Sequence, residues 1–205
     1  MEVLIFPLGQ SLLYPSFSKP FHIFEPRYIH MVEDSIAKNT PIAVASVIEP
    51  GRSHEFKYGE PLAFVHSIVG YGFAQIVDRN LDGSLVVFLQ GQGKAILGKV
   101  IDRGTPYLVC EAQVISENHL VDTRLEPLFL TAHKVMVRWL KFHIPDHLSR
   151  ENFLSYVRTP EQVVGCFASY LVSDADLQQL LLESNDINEK IVIINRLIES
   201  GELVS

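Results

Sequence analysis

The sequence is poor in cysteine and has no long apolar run, and both shortages bear on where the protein works. Its two cysteines, Cys110 and Cys166, lie in apolar patterns that predict buried thiols, which favours a reducing compartment. A disulfide between them stays open, because it needs a geometry that sequence does not show. No apolar run approaches the roughly 20 residues of a membrane span. Glu2 follows Met1 where a signal peptide has basic residues, so we predict a cytoplasmic protein with no membrane partner.

Basic residues are also in the minority and never form a run. Seventeen Lys and Arg face 24 Asp and Glu, which gives a formal charge of −7. Nucleic-acid binding generally needs a positive field, so the charge argues against a nucleic-acid partner. With 47% hydrophobic and 20% charged residues, the 205-residue chain is globular and forms one large domain or two small ones.

A calcium-loop pattern and a phosphate-loop pattern are both present and both incomplete. Residues 78–83 match the start of an EF-hand loop, but Leu89 stands where the bidentate Glu belongs. Residues 91–95 resemble a phosphate loop, but Ala95 stands where a hydroxyl residue is required. The first pattern predicts a β-hairpin instead, and the second predicts a glycine-rich turn.

No linear motif for metal binding or nucleophilic catalysis is complete. The eight histidines are scattered; His143 and His147 are four residues apart, but Pro145 between them breaks a helix. There is no Gly-x-Ser-x-Gly motif. We predict no catalytic residue, no metal and no cofactor, while a set assembled from distant positions stays open.

Secondary-structure patterns divide the chain into a β-rich part, residues 1–117, and a helical part, residues 118–205. The predicted strands, with a bend at Gly70 and Gly72, cover residues 3–6, 42–48, 63–78, 85–90, 94–100 and 107–115. The turns and loops between them fall at 16–20, 49–59, 80–83, 91–93 and 102–106. Short strands at regular spacing predict a small closed barrel or a strongly bent antiparallel sheet, and hence an α+β fold.

The helical part predicts a bundle of about four helices. Residues 125–140 carry one apolar stripe. Helix starts are indicated at Thr159, where Pro160 and Gln162 complete a capping box, and at Ser173 and Asp186. Gly201 marks the end of the last helix.

A corner joins the β pattern to the first helix at residues 21–28, Phe-His-Ile-Phe-Glu-Pro-Arg-Tyr. Pro26 suits the first turn of a helix, and Tyr28, Ile29, Val32 and Ile36 predict its buried face. We expect Glu25 and Arg27 to stabilise this corner rather than to contact a ligand.

Several collinear segments, of which the corner is the most specific, resemble one known family. They are residues 6–9 (Phe-Pro-Leu-Gly), 13–15 (Leu-Tyr-Pro), 19–28, 70–76 (Gly-Tyr-Gly-Phe-Ala-Gln-Ile), 82–91, 106–107 with 111–114, and 176–186. Together they resemble the N-terminal substrate-binding domain of Lon proteases, which cereblon-type proteins share. Gln178-Gln179 departs from that family's usual Lys-Gln. The ATPase and protease domains of a Lon protease are not seen, so we expect a free-standing domain.

The resemblance implies a PUA-like β-barrel subdomain followed by a helical-bundle subdomain. It also implies a non-catalytic module that recognises exposed apolar or unfolded protein segments for delivery to a protease or adaptor. Such a module exposes apolar side chains, and Phe17, Phe56 and Tyr58 are our candidates for substrate binding. The alternative is that these aromatic residues cap the barrel core.

Three further questions stay open at this stage. Small-molecule binding or an enzymatic use of the fold is the second functional hypothesis, because fold does not determine function. RNA binding is the weakest hypothesis. Weak homo-oligomerisation is compatible with the sequence.

Overall fold

The structure, a computed structural model, describes residues 1–9, 11–49 and 55–203. The chain forms two compact units, Met1–Ile115 and Ser116–Ser205. The sequence patterns placed the division two residues later, after residue 117. Residues 50–54 of the predicted loop 49–59 lie outside the described residues.

The first unit is a six-stranded sheet with one helix. Its elements are β1 Glu2–Leu8, β2 Ser18–Ile23, α1 Pro26–Lys38, β3 Ile42–Ser46, β4 Ile68–Arg79, β5 Leu85–Ile101 and β6 Val109–Val114. The strand order is β2-β5-β4-β3-β1-β6, and β5 also pairs with β6, so the sheet closes on itself. Only β1 and β3 are parallel among these pairs. The predicted α+β class is confirmed.

Both faces of β1 are buried, which explains its continuous apolar run. Leu4 and Phe6 contribute to a core that includes α1, whereas Val3 and Ile5 contribute to a second core. The second core also holds Cys110, one of the two free thiols.

The buried face of α1 agrees with the prediction at Tyr28 and Val32 and differs at Ile29, which is only partly buried, and at Ile36. Tyr28, Met31, Val32 and Ser35 are buried, whereas Ile36 is 47% exposed. Eight residues after Tyr28, a helix has rotated about 80° past its starting direction, which carries Ile36 off the apolar face.

Two predicted boundaries in the β part are wrong. Residues 18–20 belong to β2 rather than to a loop, and β4 begins at Ile68 rather than at residue 63. Pro20 is compatible with a strand here because β2 stands at the end of the strand order and needs no donor on its outer side.

The predicted turn at residues 91–93 is also wrong, because these glycines lie inside the 17-residue strand β5. They permit close approach of other backbone. A Cβ on Gly91 would lie 2.2 Å from the carbonyl oxygen of Tyr14, and one on Gly70 would lie 1.6 Å from that of Leu13. Glycine at these positions therefore lets residues 13–14 cross directly against β4 and β5.

The hairpin between β4 and β5 is confirmed. Gly83 has a φ of +85°, and its N–H donates to the carbonyl oxygen of Asn80.

The second unit consists of helices. They are a 3-10 turn Thr123–Leu125, α2 Glu126–His143, α3 His147–Tyr156, α4 Pro160–Cys166, which continues as a π-helical turn Phe167–Leu171, α5 Ala175–Glu183 and α6 Ile187–Ser200. The prediction of about four helices missed α3. No residue of this helix is completely buried, and its sequence has no clear apolar stripe from which the helix could be predicted.

Helix caps agree closely with the sequence. The capping box of Thr159 and Gln162 is complete, Asp186 caps α6, and Gly201 has a φ of +74°. The cap of α5 is Asp174 rather than the predicted Ser173; its carboxylate accepts from the N–H of Leu177. No helix in residues 1–9, 11–49 and 55–203 is long and apolar enough to cross a membrane.

A buried ion pair joins the start of the second unit to its last helix. Lys190 Nζ lies 2.7 Å from Glu117 Oε2, and the two side chains are 2% and 10% exposed. Removing one partner of such a pair leaves an uncompensated buried charge.

Replacement of Gly70 by alanine is expected to destabilise the chain far more than the same replacement of a turn glycine. Gly70→Ala should lower the free energy of unfolding by about 3 kcal/mol or more, because the new methyl group meets backbone that cannot retreat. Gly104→Ala is the control: its φ is +63° but no atom lies within 4 Å of the added Cβ. It should cost only about 1 kcal/mol. Urea unfolding measures both, and equal losses would contradict the close approach.

Replacement of Lys190 alone should destabilise the chain more than replacement of the whole pair. Lys190→Met is expected to cost about 3–5 kcal/mol, since Glu117 then stays buried without its counter-ion. The double variant Glu117→Met, Lys190→Met should recover most of that loss. Thermal and urea unfolding provide the measurement. A double variant as unstable as the single one would show that the charge pair is not the cause.

Candidate functional site

An aromatic cleft of 260 Å³ lies in the first unit, and we call it the Phe56–Tyr58 cleft. Four segments line it: Ile5 and Pro7 of β1, Arg27 and Tyr28 at the corner, the aromatic residues Phe56, Tyr58 and Phe64, and residues 105–108 before β6. The chain brings these segments together because β1 lies between β3 and β6 in the sheet.

Two of the three residues that we predict from the sequence as candidates for substrate binding lie in this cleft. Phe56 and Tyr58 are 41% and 55% exposed, and their rings pack edge to face with centroids 5.5 Å apart. Phe17 does not join them. It is only 4% exposed and belongs to the core, in agreement with the alternative that it supports the barrel.

Among the described residues that line the cleft, the one charged side chain is Arg27 of the corner. Arg27 Nη2 lies 2.7 Å from Glu25 Oε2, and the guanidinium sits 4.6 Å from the centre of the Tyr28 ring. Both members of the ion pair are about half exposed, at 53% and 42%. An exposed pair contributes about 0–1 kcal/mol, so the stabilisation of the corner that we predict for Glu25 and Arg27 is modest. Arg27 also borders the cleft.

Buried tyrosines form the base of the cleft. Tyr28 and Tyr107 are each 7% exposed. Burial raises the pKa of Tyr28, so its ring is neutral at physiological pH.

Helix α1 holds Tyr107 in place through a carboxylate. The Tyr107 hydroxyl donates to Asp34 Oδ2, and Lys38 Nζ lies 3.1 Å from the same oxygen. The hydrogen bond from Tyr107, followed by that from Lys38, lowers the pKa of Asp34. Burial and then the bond to Asp34 raise the pKa of Tyr107.

A Ser–His–Asp contact elsewhere in the unit braces the β4–β5 hairpin. Ser84 Oγ donates to Asp82 Oδ1 at 2.7 Å and lies 2.9 Å from His22 Nε2. Because the Ser84 proton is directed to Asp82, His22 Nε2 is the donor in its own contact. His22 therefore does not act as a base toward Ser84, whose side chain is buried at 3% exposure. Sequence patterns did not reveal this contact, since its members are 62 positions apart.

Other reactive groups are also unsuited to catalysis. Burial raises the pKa of the Cys110 and Cys166 thiols to about 12, which keeps them protonated. Within the described ranges, no three His, Cys, Asp or Glu side chains gather as a metal site would require.

Two further hollows are present in the first unit. One of 430 Å³ adjoins Phe56 from the side of Lys57 and Pro61. The other, of 640 Å³, is a shallow depression over β5 and β6, bordered by the ion pair between Glu2 and Arg103. Neither gathers aromatic side chains as the Phe56–Tyr58 cleft does.

Loss of the Tyr107 hydroxyl should change both stability and its pH dependence. The raised pKa of Tyr107 contributes stability below the usual tyrosine pKa of about 10, and this is lost as pH rises toward the raised value. The lowered pKa of Asp34 contributes stability above the usual carboxyl pKa, and this is lost as pH falls through the lowered value. Tyr107→Phe should therefore cost about 1 kcal/mol at neutral pH and progressively less at both extremes.

Urea unfolding at several pH values measures this difference. Tyr71→Phe serves as a control, because Tyr71 lies on β4 away from Asp34. A cost for Tyr107→Phe that is constant across pH would rule out coupling to these two ionisations.

Comparisons with known proteins agree on one family. The model of the ATP-dependent protease La (LON) substrate-binding domain matches residues 2–200. Lon protease of Buchnera aphidicola subsp. Schizaphis graminum is 22% identical over 98% of this chain and 25% of its own length. Lon protease 2 of Syntrophobacter fumaroxidans is 23% identical over 89% of this chain and 22% of its own length. The chain thus spans about a quarter of the length of these relatives.

Solved structures support the fold. The N-terminal domain of Mycobacterium avium complex Lon protease superposes with a TM-score of 0.72 at 15% identity, over 97% of this chain and 98% of that one. The Lon N-terminal domain protein from Xanthomonas campestris gives a TM-score of 0.65 at 16% identity over the same shares. Since the family model covers residues 2–200, the chain belongs to the family of the LON substrate-binding domain.

Proposed function

We propose that this chain binds apolar or unfolded polypeptide segments through the Phe56–Tyr58 cleft. The observation that carries the proposal is the pair of exposed rings of Phe56 and Tyr58, which stand over a base of buried tyrosines in a substrate-binding-domain fold. Exposed aromatic side chains are the usual anchors of protein recognition.

The shape of the cleft supports a side chain rather than a whole metabolite as its occupant. Its volume of 260 Å³ falls below the roughly 300–1,000 Å³ of ordinary small-molecule sites. A single aromatic or branched apolar side chain from a longer polypeptide suits this volume. The remainder of such a segment would then pass over the rim formed by Phe56 and Tyr58.

The electrostatics of the cleft also favour polypeptide over the competing ligands. Among its described lining residues, the one that carries a charge is Arg27, which is paired with Glu25, so these residues offer little positive field to RNA. Tyr107 and Asp34 have shifted pKa values, but local structure accounts for both. Burial and then the bond to Asp34 raise the pKa of Tyr107, and the hydrogen bonds from Tyr107 and Lys38 lower that of Asp34. We infer a non-catalytic module on this basis, whose bound segments pass to a protease or adaptor.

Loss of both exposed rings should weaken binding without unfolding the chain. In the variant Phe56→Ala, Tyr58→Ala, the affinity for a fluorescein-labelled, reduced and carboxymethylated unfolded protein is expected to fall about 5- to 30-fold. This corresponds to about 1–2 kcal/mol, the loss for aromatic anchors of moderate strength. Fluorescence anisotropy measures the affinity at low and high salt. Because the contact is apolar, the ratio should persist at high salt.

Phe24→Ala provides the matched control. Phe24 is 67% exposed but does not line the cleft, so its loss should leave the affinity within about twofold. Circular dichroism confirms that each variant is folded. Unchanged binding by the double variant, or an equal loss with Phe24→Ala, would show that the cleft is not the binding site.

A further inference from the structure

One side of α2 exposes a row of cations with an apolar residue at each end. Leu130, Lys134, Arg138 and Phe142 follow one another at four-residue spacing, and Lys141 lies three residues after Arg138. All five side chains are exposed, with Leu130 at 54% and Phe142 at 77%. We call these five residues the α2 ridge.

The cations of the α2 ridge have no acidic partner. Among the residues that the structure describes, Lys134, Arg138 and Lys141 form no ion pair. The one acid of α2 is Glu126, at its first position. The ridge therefore carries three positive charges in a chain whose formal charge is −7.

Helix stability accounts for Lys141 alone, whose place in the last turn of α2 favours the helix dipole. Like charges three and four residues apart on a helix repel one another. Solvent-exposed phenylalanine and leucine at the two ends also bury nothing within the helix. A ligand that carries negative charge between two apolar groups would satisfy both features at once.

The length of the ridge limits the size of such a ligand. Twelve residues separate Leu130 from Phe142, which corresponds to about 18 Å along a helix. An extended polypeptide covers that distance in about five to six residues. Four consecutive acids between two apolar residues would therefore align with the ridge.

Charge complementarity favours a short polypeptide over a larger polyanion. Electrostatic interactions are screened beyond about 10 Å at 0.1 M salt. A short segment bound along the ridge would therefore interact mainly with the three cations of the ridge. Duplex DNA or an anionic membrane extends past the ridge and meets the rest of a chain whose formal charge is −7.

We propose that the α2 ridge is a docking surface for a short acidic polypeptide segment flanked by apolar residues. This goes beyond the apolar recognition assigned to the Phe56–Tyr58 cleft, because the ligand is charged and the surface belongs to the helical unit. A chain of the LON substrate-binding family would then recognise two chemically different kinds of polypeptide.

The test uses the full chain and a fluorescein-labelled peptide, Leu-Glu-Glu-Glu-Glu-Phe. We expect the variant Lys134→Gln, Arg138→Gln, Lys141→Gln to bind this peptide at least about tenfold more weakly at low salt, with a smaller dependence on salt. Glutamine keeps the helix propensity close to that of lysine and arginine, so the variant should fold. Phe142→Ser should weaken binding while leaving the salt dependence unchanged.

The matched control removes three exposed cations elsewhere. The variant Lys99→Gln, Arg158→Gln, Arg196→Gln makes the same change in net charge, at exposed positions outside α2. Its affinity for the peptide should stay within about twofold of that of the unchanged chain. The variant Phe56→Ala, Tyr58→Ala should keep the salt dependence of peptide binding, which separates this surface from the apolar cleft.

Three results would overturn the proposal. One is an equal loss in the control variant, which would attribute binding to net charge. Another is equal affinity for a peptide with glutamines in place of the glutamates. The third is tighter binding of a 20-base-pair duplex DNA, or of vesicles containing phosphatidylserine, than of the peptide at the same salt.

Discussion

The close backbone contact at the glycines of β4 and β5 is the constraint on which the first unit depends. Residues 13–14 cross so near to Gly70 and Gly91 that a methyl group at either position would overlap a carbonyl oxygen. With that crossing in place, β5 pairs with β2 along its first half and with β6 along its second half. The sheet closes as a result, and β1 comes to lie beside β6 at the edge of the Phe56–Tyr58 cleft.

The same glycines show where sequence reasoning succeeds and where it ends. The local sequence pattern correctly predicts a turn at Gly83, because the positive φ of such a turn favours glycine. A similar pattern predicts a turn at Gly91, but Gly91 is a strand residue. Its small size is required because a backbone segment about 77 positions earlier crosses directly against it. Helix caps are local signals and were predicted to within one residue. Helix α3, which buries no side chain completely, gave no such signal.

In the candidate site, too, some residues can be predicted from local sequence patterns and others depend on the tertiary structure. Phe56 and Tyr58 could be nominated because they stand in a polar loop pattern, where an aromatic residue has no local partner. Phe17 stands in a similar pattern, but tertiary contacts bury it. Arg27 and Tyr28 were assigned to a structural corner, and nothing local linked them to residues 56–58. Their place in the cleft follows from strand order, which only the closed sheet reveals.

The size of the cleft limits how strongly it can bind. A side chain that loses about 100 Å² of apolar surface gains about 2.5 kcal/mol, and association itself costs several kcal/mol. A single contact in the Phe56–Tyr58 cleft is therefore weak. For the unfolded segments that we propose as ligands, weak contact would allow later release, and such a chain would offer many apolar side chains to one cleft. Affinity for a particular partner would then require further contacts. The α2 ridge supplies the chemistry for one such contact, since its three cations form no ion pair with any described residue and lie beside an exposed phenylalanine.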